Sequence, residues 1–307
     1  MRLVFMGTPD FAVPTLKALI KEGHEILAVF TQTDKPVGRK QILTPPPVKI
    51  CAMENGIDIY QPTTLRSGEA FQILKDINPE AIVVVAYGKI LPEDILSLPK
   101  YGCINGHASI LPRHRGASPI QWSIFSGDKE TGVTTQRMDS GIDTGDILEI
   151  SKTEISDTET AETLHDRLSL MCAELMCSTI GKLEKGEIRP VKQDEKTATY
   201  CSIIKKEMAL LDFTKNATEL DRAIRAFYGW PVAFFMLEGK RMKVFSAKIL
   251  KGDGSMGTVI DNKDKLVISC GDNTALELID VQLEGSKPMT AKALLCGKNI
   301  PIGTKII

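Results

Sequence analysis

Arg2-Leu3-Val4-Phe5-Met6-Gly7-Thr8-Pro9-Asp10 reads as a short apolar strand that breaks at a glycine and turns at once into a helix. Thr8 offers a hydroxyl for an N-cap, Pro9 suits the first helical position, and Asp10 complements the helix dipole. Phe11, Leu16, Leu19 and Ile20 follow at helical spacing. Residues 26–30 form the next apolar run, and 81–86 (AIVVVA) a third. Continuous β-branched runs suit a parallel sheet covered on both faces. Strand, helix, strand at this spacing predicts an α/β domain with a doubly wound, Rossmann-like parallel sheet. A long helix is predicted over 159–185, with Leu164, Leu168, Met171 and Leu175 on one face.

The pattern changes after a polar stretch at 190–199. One helix is predicted over 218–227. Short strands then follow at 232–237, 241–249, 258–260, 266–270 and 276–281, separated by Gly and Asp turns. That half predicts a small β-barrel of the OB type. The expected division is therefore a Rossmann-like domain over 1–189, a linker over 190–204 and an OB-like domain over 205–307.

Charge divides along the same line. Residues 205–307 hold 16 Lys and Arg against 12 Asp and Glu, while the remaining residues hold 22 against 27. The chain as a whole carries −1, so it is not a wholly basic nucleic-acid binder. A basic second half fits a polyanion docking at one end, or two ordinary solvated surfaces that differ by chance. The seven cysteines contain no C-x-x-C pair, which argues against a zinc ribbon or a disulfide framework and fits a reducing cytoplasm. No apolar run is long enough to span a bilayer, and the first residues lack the pattern of a signal or transit peptide. There is no G-x-G-x-x-G after the first strand, no Walker A lysine motif and no G-x-S-x-G. A dinucleotide enzyme, an NTPase and a serine hydrolase are disfavoured.

Two clusters could carry chemistry. In Asn105-Gly106-His107-Ala108-Ser109-Ile110-Leu111-Pro112, a strand ending near Asn105 would put Asn105 and His107 on the same side. Either they face one point at the sheet edge, or Asn105 caps a turn and His107 is an interior histidine. In Met138-Asp139-Ser140-Gly141-Ile142-Asp143-Thr144-Gly145-Asp146, three carboxylates sit among glycines. That is either an Asp/Gly turn or a functional loop, and its spacing is not that of an EF-hand. The stretch 31–47, rich in Pro and Gly, reads as a long loop after a strand end, where ligands of such sheets bind.

Asn105-x-His107-x-Ser109-Ile110-Leu111-Pro112-x-x-Arg115-Gly116-x-x-Pro119, followed by Asp143, resembles the signature of formyltransferases that use 10-formyltetrahydrofolate. Three further stretches narrow the likeness: residues 5–12 (FMGTPDFA), 31–39 (TQTDKPVGR) and 47–49 (PVK). Together they resemble the methionyl-tRNA formyltransferase family over nearly the whole chain. Thr33, Ile110 and His114 depart from residues common in that family, and none of them removes a catalytic group.

The resemblance implies a catalytic set of Asn105, His107 and Asp143. Asn105 and His107 would donate to the oxyanion formed when an amine attacks the formyl carbon. Asp143 would hold His107, or take the amine's proton directly or through water. It further implies folate beside Ser109, Ile110, Leu111 and Pro112, and tRNA contact by Arg39 and by a basic C-terminal domain. The co-substrate would be 10-formyltetrahydrofolate, with no metal and no covalent intermediate. The partner would be initiator methionyl-tRNA, and the protein a cytoplasmic monomer. Rival readings are an amino-sugar formyltransferase, a formyl hydrolase, and a non-catalytic RNA-binding relative.

Overall fold

The computed structural model describes residues 1–38 and 40–306 and forms two compact units. The first comprises Met1–Pro119, Glu130–Glu154 and His165–Cys201, and the second Ile120–Lys129, Ile155–Leu164 and Ser202–Ile307.

The strands of the first unit are β1 (Arg2–Gly7), β2 (Glu25–Phe30), β3 (Lys35–Val37), β4 (Ile42–Thr44), β5 (Ile59–Tyr60), β6 (Ala81–Val85), β7 (Cys103–His107), β8 (Arg115–Gly116), β9 (Glu130–Arg137), β10 (Asp146–Glu154) and β11 (Tyr200–Cys201). Seven of them form one sheet in the order β10-β9-β7-β6-β1-β2-β5. β7, β6, β1, β2 and β5 run parallel, while β9 and β10 are antiparallel. The Rossmann-like core thus carries an antiparallel edge, which makes the sheet mixed rather than wholly parallel. The order reverses between β1 and β6, so their carboxyl ends flank the crevice where ligands of such sheets bind.

β6 is buried along its whole length, as its uninterrupted AIVVV demands. With Val4, Met6, Ala28 and Phe30 it packs on Leu65, Ala70 and Leu74, each large side chain contributing about 2 kcal/mol by burial. The long helix is Ala161–Lys185. Its deepest stripe runs through Leu168, Cys172 and Met176, with Met171 and Leu175 only half-buried. Counting cysteine among the apolar residues would have turned the predicted face by the right amount.

Two expectations fail locally. Thr8 does not cap a helix, because its hydroxyl donates to the Tyr87 carbonyl at 3.0 Å. A short 3-10 turn, Asp10–Ala12, follows instead, and the α-helix proper is Val13–Lys21. Residues 31–47 also hold regular structure, since β3 and β4 pair as an antiparallel hairpin. Its tip is closed by Gln41, which donates from backbone and side chain to the Gly38 carbonyl. Arg39, at that tip in sequence, lies outside the described residues.

The second unit carries β12 (Phe234–Leu237), β13 (Lys240–Lys251), β14 (Val259–Asp261), β15 (Leu266–Ser269), β16 (Thr274–Leu283) and β17 (Met289–Thr290). They form a curled antiparallel half-barrel, ordered β12-β13-β16-β15-β14, with β17 on β16. The helix Ala217–Ala226 is capped by the Asn216 side chain, which accepts from the Glu219 amide. No helix among the described residues is long and apolar enough to cross a membrane.

Candidate active site

Asn105 and His107 lie at the carboxyl end of β7. The antiparallel neighbour β9 places Gln136 opposite Asn105 and Thr134 opposite His107. Cross-strand partners share a face, so Asn105 and Gln136 reach the same point. That point is Asp143. Its Oδ1 accepts from Gln136 Nε2 at 2.8 Å and from Asn105 Nδ2 at 3.3 Å. Its Oδ2 accepts from the Gly116 amide at 2.8 Å and lies 3.5 Å from His107 Nδ1. The other ring nitrogen of His107, Nε2, is 2.9 Å from the His114 carbonyl and donates to it. Of the two ring contacts the one to Asp143 is the looser.

The loop bearing Asp143 joins β9 to β10 and is tightly constrained. Asp143 has φ +54°, in the left-handed region that Asp tolerates better than most residues. A Cβ on Gly145 would fall 1.8 Å from the Arg137 carbonyl, so only glycine fits there. Asp139 Oδ1 accepts from the Gly141 amide at 3.0 Å and from Thr144 Oγ1 at 2.6 Å. Asp139 makes the Asp/Gly turn that the sequence allowed, and that turn carries Asp143. Among the described residues no three His, Cys, Asp or Glu side chains are grouped so as to hold a metal ion.

Arg115 is completely buried and pairs bidentately with Glu195, Nη2 to Oε1 at 2.7 Å and Nη1 to Oε2 at 2.9 Å. It also donates to Gln193 Oε1 at 3.0 Å and to the Tyr200 hydroxyl at 3.0 Å. The pairing raises the basicity of the guanidinium and holds the Glu195 carboxyl below its ordinary range. Residues 190–201 are consequently not a free linker, because they are packed on the first unit.

Of the four residues expected to meet folate, Ser109 and Leu111 are buried, and Ser109 Oγ already donates to the Arg113 carbonyl at 2.6 Å. Ile110 and Pro112 keep partial exposure. The hairpin exposes Val37, Ile42 and Leu43. Its base is tied down by Lys49, which donates to Asp34 at 2.8 Å and to Gln61 at 2.9 Å. Gln136 and Gln193 had no signal in the sequence. The first is found only through strand register, and the second sits in a stretch whose polarity reads as linker.

The formyl transferase family model matches residues 1–180, and the model of the formyl transferase C-terminal domain matches 203–299. A methionyl-tRNA formyltransferase of Caldanaerobacter subterraneus subsp. tengcongensis is 47% identical over 307 residues, covering 99% of each chain. The chain belongs to the methionyl-tRNA formyltransferase family. A solved methionyl-tRNA formyltransferase from Clostridium thermocellum superposes with a TM-score of 0.57 at 21% identity, over 82% of this chain and 95% of that one. An N-formyltransferase from Helicobacter canadensis, solved with folinic acid and dTDP-3-aminofucose, gives 0.69 at 21% identity, over 90% and 98%. At these identities both show a shared fold. The fold is thus shared with an N-formyltransferase solved with a sugar nucleotide, and substrate choice has to be argued from particular residues.

Proposed function

We propose that this enzyme transfers the formyl group of 10-formyltetrahydrofolate to the α-amine of initiator methionyl-tRNA, with Asn105, His107 and Asp143 as its catalytic residues. The observation that carries the reading is the convergence of Asn105 and His107 on Asp143 at the end of β7. The amine nitrogen bonds to the formyl carbon, and the bond from that carbon to N10 of the folate breaks. Asn105 gives one N–H to Asp143 and has a second for the oxyanion that forms between those events. His107, aligned by Asp143 and the His114 carbonyl, protonates the departing N10. The proton lost by the amine passes to Asp143, directly or through water. The folate lies beside Ser109–Pro112, where Ile110 and Pro112 offer apolar surface and Ser109 acts by holding the turn.

In this reading 1–189 and 205–307 divide the labour, with the second part docking the tRNA. Lys206, Trp230, Phe234, Arg241 and Lys243 line a hollow of 240 Å³ in the second unit. Trp230 is 55% exposed, and the Arg241 guanidinium sits 4.2 Å over the Phe234 ring. Cations interleaved with aromatic faces suit phosphates and stacked bases. Changing Lys206, Arg241 and Lys243 together to Gln is expected to raise KM for charged tRNA about tenfold near physiological salt. It should also flatten the dependence of log KM on log salt by about 2–3. An unchanged salt slope would remove this surface from the docking site.

The transfer itself is tested by supplying 10-formyltetrahydrofolate with charged initiator tRNA, charged elongator tRNA or an amino-sugar nucleotide. Transfer to initiator tRNA should exceed the other two by about 100-fold or more, at least the discrimination that small differences in substrate contacts supply. Faster formylation of the sugar, or release of free formate as the main product, would favour the rival readings.

A further inference from the structure

Several contacts that orient the catalytic set lead, directly or in one step, to residues 193–201. Gln193 Nε2 donates to two carbonyls of the catalytic loop, Asp143 at 2.8 Å and Gly145 at 2.7 Å. These bonds hold the loop at its left-handed turn at Asp143 and again two residues further on. Gln193 is held in turn by Arg115 Nε, and Arg115 by Glu195.

The His114 carbonyl, which receives His107 Nε2, is fixed by the same stretch of chain. The His114 amide donates to Thr199 Oγ1 at 2.8 Å, and the Cys201 thiol lies within donating distance of both the His114 carbonyl at 3.4 Å and the Arg115 carbonyl at 3.2 Å. Burial pushes that thiol's pKa up, so it stays a donor. His114 itself has φ +58°, a conformation an ordinary side chain adopts only under such restraint. The third contact is the Gly116 amide, which donates to Asp143 Oδ2. β8, which contains it, pairs with β11, and a Cβ on Gly116 would fall 2.4 Å from the Cys201 carbonyl.

We propose that residues 193–201 are a brace of the active site, with Gln193 and Thr199 as positioning residues for formyl transfer. Gln193 sets the Asp143 carboxylate against Asn105 and His107. Thr199 sets the carbonyl that aims the His107 ring. The segment runs directly into Ser202, the first residue of the longest stretch of the second unit, so one covalent chain carries both the brace and the domain after it. The inference rests on the assignment of Asn105, His107 and Asp143 as the reacting groups.

The test uses the full-length chain and four variants: Gln193→Met, which keeps the length and removes both donors, Thr199→Val, Thr199→Ser, and Asp143→Ala as a reference. Displacing a reacting group by about an ångström can cost on the order of a hundredfold. Gln193→Met is expected to lower kcat about thirtyfold and Thr199→Val about tenfold, on that scale. KM for both substrates should stay within about twofold, and the melting temperature near that of the wild type. Thr199→Ser retains the hydroxyl and should keep kcat within about twofold. The brace is overturned if Gln193→Met and Thr199→Val turn over at the wild-type rate while Asp143→Ala is slow. It is equally overturned if their losses appear in KM, or if Thr199→Ser is as slow as Thr199→Val. Wild-type turnover in Asp143→Ala would instead sink the underlying catalytic assignment.

Discussion

Asp143→Ala is expected to lower turnover about a thousandfold, the combined scale of a lost acid–base group and misdirected oxyanion donors. Its carboxylate is the common acceptor for Gln136 Nε2, Asn105 Nδ2 and the Gly116 amide, and it faces His107 Nδ1. Truncation releases all four at once. Asn105 loses the contact that aims its amide, and His107 keeps only the His114 carbonyl. Asp143→Asn should be nearly as slow. Asn tolerates the same backbone conformation, but one of its two side-chain positions then presents N–H groups to existing donors. In the proposed mechanism Asp143 acts on the reacting centre, so KM for the formyl donor should change little. Steady-state kinetics with both substrates varied, alongside thermal unfolding, separates this result from a loss of folded protein.

The second large effect is expected at Arg39. Arg39→Ala should lower kcat/KM for charged initiator tRNA about a hundredfold, while KM for the formyl donor stays within about twofold. The reason lies in the hairpin on which it is carried. Val37, Ile42 and Leu43 are all more than half exposed, although apolar. The base of the hairpin is anchored through Lys49, Asp34 and Gln61. An anchored hairpin that exposes apolar side chains, and whose sequence places an arginine between its strands, is suited to a nucleic-acid end, where unstacked bases and phosphates lie close together. Arg39→Lys should recover only part of the loss, since lysine keeps the charge without the planar fork. A pure charge effect would make Lys equal to Arg, and added salt would then imitate the alanine variant.

The parallel core was legible because its strands are buried on both faces and so read as unbroken apolar runs, as in Ala81–Val85. β9 was not, since half of Glu130–Arg137 is Thr and Gln although nearly all of it is buried. Those polar side chains face partners supplied by distant elements, as when Thr135 Oγ1 meets Thr179 Oγ1 at 2.8 Å. The hairpin was hidden by its prolines, which read as loop and are tolerated here because both strands are edges. In the site, the spacing of Asn105 and His107 was enough to place them on one face. Asp143 was picked out by resemblance, and its geometry needed the Asp139 turn. Gln193 was illegible because its partners, the Asp143 and Gly145 carbonyls, are backbone groups about fifty residues away and leave no trace in side-chain pattern.

His107 and Asp143 are expected to act as one unit in formyl transfer. That expectation is tested most directly by the single-turnover rate on charged initiator tRNA for wild type, His107→Ala, Asp143→Ala and the double variant. Each single change should cost about a thousandfold, and the double variant should be little slower than the slower single, because groups acting together are not additive. Near-normal transfer by His107→Ala, or losses that simply multiply in the double variant, would contradict it.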